Sequence, residues 1–253
     1  MITLVKSKKL YLKSVTYFLL SIACLITEIF TIENYSKIKL YALCTPSHEI
    51  LLYNWFLPSF QDNYELIIEN YSQECPTAKF KSYGWIKTTL KKVELILQAI
   101  EENFGSIFIY SDLDIQFFKS TEKILLSFLK NNDFLIQRNS PSGEMCTGFF
   151  ITRANEKTQR LWQKTYLIML NSQGKISDQE AFNKAAKILT KQKKIKWNYL
   201  PNTFLTGYYV LKNEIPKDII LHHANYTVGI ENKILQLRKV NNIVNYCKQD
   251  TSL

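Results

Sequence analysis

The sequence predicts an α/β domain, a mostly parallel central sheet flanked by helices, and three observations predict it. From residue 37 onward, short apolar runs alternate with longer amphipathic stretches, the pattern of strands separated by covering helices. The clearest amphipathic stretch leads through Gly105 into Ile107-Phe108-Ile109-Tyr110, a continuous β-prone run of the kind buried on both faces of a sheet. That run stops at Asp112-Leu113-Asp114, where the carboxyl end of a central strand would lie and where open α/β sheets bind ligands.

The elements follow in order. Residues 39–44 form a short strand that ends in the turn Thr45-Pro46-Ser47. A helix is expected over 49–57 and a second strand over 64–68. The strongest helix spans 85–104. Ile86, Leu90, Val93, Leu97, Ile100 and Phe104 recur at steps of four and three, which is one helical face. Most Lys and Glu residues lie off that stripe, and Gly105 is a natural stop. Residues 106–111 are the central strand. A helix over 121–130, strands over 133–137 and 145–152 and a helix over 156–170 continue the alternation. Ser177 and Glu180 have capping-box spacing and open another helix. Late strands are expected at 197–200 and 219–223. No internal repeat or linker interrupts residues 37–253, which read as one domain behind an N-terminal segment, 1–36.

That segment has its own character. Lys6, Lys8, Lys9 and Lys13 precede an uncharged, mostly apolar run that Glu28 closes. The run is shorter than the ~20 residues a bilayer span needs. Residues 10–32 suit a short signal anchor, with Lys13 and Glu28 reaching the interface, or a helix packed on the domain. The basic flank favours membrane-associated or secretory placement over a cytoplasmic one.

The chain carries a net charge of +10, from 32 Lys+Arg against 22 Asp+Glu. The arginines are Arg138, Arg153, Arg160 and Arg238, and the lysines are scattered. Sequence-reading DNA binders lean on arginine forks, and no zinc-finger spacing, basic heptad helix or RNP-type motif is present. Nucleic acid is therefore not an expected partner. The five cysteines are widely spaced with no CxxC, which argues against a disulfide framework and a cysteine zinc site.

Two sets of residues carry chemistry. On an extended segment, Asp112 and Asp114 point the same way. Two carboxylates of fixed direction can hold a hard cation, Mg²⁺ or Mn²⁺, and the cation can hold a diphosphate and neutralise its charge. An Asp-x-Asp alone is common in solvated turns; its place after a buried run gives it meaning here. The second set is Leu221-His222-His223-Ala224-Asn225, followed by Gly229 and Lys233. In a strand the two imidazoles face opposite sides, so only one can join a shared metal, and alternation does not say which. Lys233, past a flexible glycine, suits a loop folding over a phosphate. His48 is expected at the surface. Gln137, Thr147-Gly148 and Asp178-Gln179 fall at further strand or helix ends; Asp178 also complements a helix dipole.

Taken in order, Tyr83-Gly84-Trp85-Ile86-Lys87, Ile109-Tyr110-Ser111-Asp112-Leu113-Asp114-Ile115, Cys146-Thr147-Gly148-Phe149-Phe150, Ser177-Asp178-Gln179-Glu180 and His223-Ala224-Asn225 with Gly229 and Lys233 resemble the nucleotide-diphospho-sugar transferases. These are GT-A-fold glycosyltransferases related to the plant cell-wall xylosyltransferases of glycosyltransferase family 77 and distantly glycogenin-like. The resemblance covers about 37–237. It implies a Rossmann-like nucleotide-binding half and a divalent metal, usually Mn²⁺. It also implies retaining transfer of a sugar from a nucleotide sugar, commonly UDP-linked, to a glycan or protein acceptor. It places Asp114, Asp112 and His223 on the metal and Lys233 on the diphosphate. Thr45, Trp85, Lys87, Asp112 and Gly148 fall on the donor side, and Asp178 and Gln179 near the transferred sugar. The late His is followed by Ala-Asn-Tyr-Thr-Val-Gly, a departure from the compact His-x-x-Gly of the distant group. Two other readings stand beside this one: a nucleotide-sugar-binding protein that has lost transfer, and a basic protein of nucleic-acid or membrane surfaces.

Overall fold

A computed structural model describes residues 37–76 and 81–250 of the chain. The expectations for segment 1–36, including membrane association through residues 10–32, lie outside them. The strands are β1 (Lys39–Cys44), β2 (Glu65–Asn70), β3 (Ile107–Ser111), β4 (Ile115–Phe117), β5 (Phe134–Arg138), β6 (Met145–Arg153), β7 (Trp197–Tyr199), β8 (Phe204–Thr206) and β9 (Leu221–His223). After β1, the turns Pro46–His48, Glu49–Leu51, Leu52–Phe56 and Leu57–Ser59 run on as one irregular helix, α1. The other helices are α2 (Tyr83–Glu102), α3 (Glu122–Leu129), α4 (Glu156–Asn171), α5 (Asp178–Lys191), α6 (Gly207–Leu211) and α7 (Ile230–Asp250).

Six strands form the main sheet in the order β2-β1-β3-β6-β5-β7. The pairs β1–β2, β1–β3 and β5–β7 are parallel, and β6 runs against both its neighbours. The fold is thus the expected α/β class, with one reversed strand inside the parallel set. A small second sheet, β4-β9-β8, stands beside it; its first and central strands carry the site.

Strand alternation divides the core in two. Leu40, Ala42, Ile109, Phe149 and Ile151 face one apolar layer with α1 and α3. Tyr41, Phe108, Tyr110, Ile136 and Phe150 face the other, with α2, α4 and α5. In the second layer Trp162 lies 5.2 Å from Phe150 and 4.7 Å from Phe182. Such pairs add ~0.5–1.5 kcal/mol beyond the area they bury.

Two helices differ from the sequence reading. The buried residues of α2 are Ile86, Thr89, Lys92, Val93, Leu95, Ile96, Ala99 and Ile100, so Ile86, Val93 and Ile100 of the expected stripe face inward, while Phe104 lies beyond the helix end and is 58% exposed. A buried Lys92 makes the difference: hydropathy periodicity scores a lysine as outward-facing, but two carboxylates draw this one in. The second is α7. Lys233 belongs not to a loop but to the first turn of a 21-residue helix, and Gly229 (φ 86°) turns the chain into it. Leu237, Val240 and Val244 anchor that helix in the core; a flat polar pattern around them hid it. Among the described residues no helix is long and apolar enough to cross a membrane.

Candidate metal and nucleotide-sugar site

The site forms where the two sheets meet. β3 ends at Ser111, and the Asp112 amide donates to the Gly148 carbonyl at 2.7 Å, tying the acidic loop to β6. Three residues after Asp112, β4 begins and pairs with β9 in the register Ile115↔His223. The Ala224 amide donates to the Asp114 carbonyl at 2.8 Å. That register, and not sequence proximity, brings the late imidazole to the acidic pair.

The geometry resolves which histidine faces them. His223 Nε2 lies 3.2 Å from Asp114 Oδ1 and 3.8 Å from Asp112 Oδ2. One ligand atom from each of Asp112, Asp114 and His223 lies within 4.8 Å of the others. His222, the next residue back, points to the opposite side, fully buried, and neither ring nitrogen has a hydrogen-bond partner. Burial pushes it down to about 3, so it stays neutral. Replacing His222 with leucine is expected to leave metal-assisted nucleotide binding within about twofold of wild type, because an unpartnered buried imidazole contributes little that a similar apolar group does not. The same change at His223 is expected to remove it; parallel titrations of the two variants check the pair.

The side chains around the three ligands fit a cation. Burial opposes ionisation of Asp114, but Lys233, which forms a close ion pair with it, and His223 hold its carboxyl well below the usual range. Burial alone would lower His223; the Asp114 carboxylate and Cys146 instead raise it to about 10. The cluster therefore holds a proton and an ammonium where a divalent ion would supply the same compensation. His223 Nδ1 lies 3.4 Å from Cys146 Sγ, a second contact that fixes the ring plane as outer partners of metal-bound histidines do. Gly148 makes the room. A Cβ there would stand 2.1 Å from His223 Cε1. Gly148→Ala is accordingly expected to displace the ring and weaken metal binding by ~10–100-fold, read as the Mn²⁺ concentration needed for half-maximal nucleotide binding.

A cleft of ≈ 530 Å³ opens over this cluster. It collects Thr45, Trp85, Asp112, Asp114, Gly148, Asp178, Gln179, His223 and Lys233, all expected from the sequence. Thr45 Oγ1 lies 2.9 Å from His48 Nδ1. His48 is half-buried and lines the cleft instead of the outer surface. Burial, then Lys233, lowers its pKa. Asp178 is the first residue of α5, whose N-terminus a Ser177–Glu180 capping box closes as expected. Its Oδ2 accepts from Thr147 Oγ1 at 2.8 Å. Lys87 is not brought in: it pairs with Glu74 at 3.3 Å outside the cleft. Gln137 is buried under β8, donating to the Phe204 carbonyl at 3.2 Å.

The lysine of α2 that reaches the cleft is Lys92, five residues on and missed by the sequence reading. Its Nζ lies 3.0 Å from Asp112 and 3.2 Å from Asp178, and 5.0 Å from the Tyr110 ring centre. Burial would lower Lys92, but the two carboxylates outweigh it and keep the amine charged. Its spacing could have revealed it: Lys92 follows Thr89 and precedes Ile96 on the face that packs against the sheet.

A Rossmann-like sheet whose strand ends present an Asp-x-Asp and an imidazole to one cleft, with a lysine from each of two helices beside them, is the arrangement of a sugar transferase that handles nucleotide diphosphates. Residues 61–237 match the nucleotide-diphospho-sugar transferases, and the chain belongs to that family; it is a glycosyltransferase. Two solved structures share the fold at 13% identity. One is a glycosyltransferase involved in the glycosylation of the major capsid of PBCV-1, with a TM-score of 0.55 over 79% of this chain and 98% of that one. The other is the glycosyltransferase GlyE of Streptococcus pneumoniae TIGR4, with a TM-score of 0.50 over 85% of this chain and 64% of that one. No curated protein compared with the chain matches it.

Proposed function

We propose that this glycosyltransferase is metal-dependent, takes a UDP-linked donor and transfers the sugar with retention to an acceptor hydroxyl. The observation that carries the reading is the Asp112–Asp114–His223 cluster at the floor of the cleft, with Lys233 against it. Asp114 and His223 would ligate Mn²⁺ or Mg²⁺ directly and Asp112 complete the set; the bound ion supplies Lewis-acid neutralisation of the departing diphosphate. Lys233 swings from Asp114 to the diphosphate as a point charge. Lys92 keeps Asp112 and Asp178 at fixed positions. Thr45 and Trp85 line the side of the cleft given to the nucleotide. Asp178 and Gln179, at the α5 N-terminus, face the transferred sugar, where Gln179 can stabilise developing positive charge at the anomeric carbon. Lys87 stays on the donor side only if its pair with Glu74 opens. Titration of UDP with and without Mn²⁺ tests the assignment: binding indifferent to the metal in the wild type contradicts it. Anomeric NMR of the product distinguishes retention from inversion.

The same reading makes residues 37–253 the catalytic domain and residues 1–36 an appendage that associates with membranes through 10–32. Comparing alkali-resistant membrane pelleting of the full chain with that of residues 37–253 tests it, and equal pelleting argues against the appendage.

A further inference from the structure

Five carboxylates line the cleft, and four have a cation beside them. Lys92 serves Asp112 and Asp178, Lys233 and His223 serve Asp114, and Lys81 serves Glu180. The fifth is Glu144, in the turn between β5 and β6. Among the described residues it has no Lys, Arg or His within ion-pair distance. It is held instead by an amide: Asn139 Nδ2 donates to Glu144 Oε2 at 2.6 Å. The same Nδ2 lies 2.9 Å from Tyr226 Oη, and Asn139 itself is only 4% exposed. One buried amide thus aims a carboxylate and a phenol at one wall of the cleft.

Tyr226 is unusual in its own right. Its backbone is left-handed (φ 59°), which a bulky side chain adopts only at a cost, and such strain gathers at ligand clamps. The ring stands edge-on to Tyr208 at 5.7 Å and is still 46% exposed at the cleft. The wall also connects to the metal cluster. Asn225 Nδ2 reaches Asn139 Oδ1 at 3.1 Å and Cys146 Sγ at 3.5 Å, and Cys146 touches His223.

A carboxylate without a counter-ion repels a diphosphate, so this wall is not the phosphate side. Its chemistry suits hydroxyls. A fixed carboxylate accepts two of them, and an exposed aromatic face covers the apolar side of a sugar ring. We infer that Glu144 and Tyr226, oriented by Asn139, form the acceptor subsite, and that it takes a neutral or amino sugar and excludes uronic or phosphorylated ones. The inference rests on the donor reading above.

The test uses the full chain with UDP and Mg²⁺. UDP affinity is measured by calorimetry. Binding of methyl hexoside, methyl 2-amino-hexoside and methyl hexuronide is then followed by ligand-observed NMR. The wild type is expected to bind the first two and reject the hexuronide. Glu144→Gln is expected to weaken the amino-hexoside by ~10-fold, and Glu144→Lys to reverse the ranking toward the hexuronide. Tyr226→Ala is expected to weaken the neutral and amino hexosides by ~10-fold, with UDP affinity within about twofold throughout. Unselective binding, no binding of any glycoside, or a ranking unmoved by Glu144→Lys overturns the subsite while UDP still binds. Wild type that fails to bind UDP overturns the donor reading and the subsite with it.

Discussion

Asp114→Ala is expected to abolish metal-assisted UDP binding and to lower transfer by ~10³-fold or more, the several kcal/mol that a lost metal contribution represents. The cost to folding is expected to be much smaller. Asp114 is buried between His223 and Lys233, so its removal leaves two cationic groups without their partner. Both have an exit. His223 is charged mainly because Asp114 is there, against the pull of burial, and without it the ring loses its proton. Lys233 keeps 16% of its side chain accessible and can turn toward solvent. Activity and stability should therefore separate: nucleotide titrations lose their Mn²⁺ dependence while thermal unfolding moves by only a few degrees. A variant that binds UDP equally well with and without Mn²⁺, alongside a wild type that does the same, removes the metal from the assignment. A variant that simply unfolds would show Asp114 to be structural first.

The parts of this molecule legible in its sequence are those set by local pattern. β1, β3, β5 and β6 announce themselves as apolar runs, and the Ser177 capping box marks the start of α5. Asp112 and Asp114 stand out because the run before them is unambiguous. What the sequence hides is set by register and by charge. The choice of His223 over His222 depends on β9 pairing antiparallel to β4 at Ile115, and both strands are too short for periodicity to place. The reversal of β6 between β3 and β5 leaves no local trace either, since a buried strand reads the same in both directions. Lys87 and Lys92 lie on one helix, and only the packing of α2 against β3 decides that Lys92 enters the cleft. Hydropathy puts every lysine outside; two acids, one on the loop after β3 and one at the start of α5, put this one inside.

Lys92 is where that inversion has its largest measurable consequence. Replacing it with methionine keeps the bulk of the side chain and deletes the charge that Asp112 and Asp178 share at 3.0 and 3.2 Å. Asp178 is 4% exposed and, among the described residues, retains the Thr147 hydroxyl as its side-chain donor. Breaking a buried pair from one side costs ~3–5 kcal/mol, because the other charge stays behind without compensation. At ~2–4 °C per kcal/mol for a chain of this size, the melting temperature is expected to fall by ~10 °C. Arginine is not a safe substitute. Its planar fork needs more room than an ammonium beside the Tyr110 ring at 5.0 Å, so Lys92→Arg is expected to recover only part of the loss. The double variant Lys92→Met with Asp178→Asn distinguishes charge from shape. Removing the stranded carboxylate should return most of the stability, since an amide can keep the Thr147 contact without a charge, while transfer is expected to be low because Asp112 has lost its anchor and Asp178 its carboxylate. If the double variant melts no higher than Lys92→Met alone, the lysine acts by filling space and the electrostatic account of this cleft is wrong.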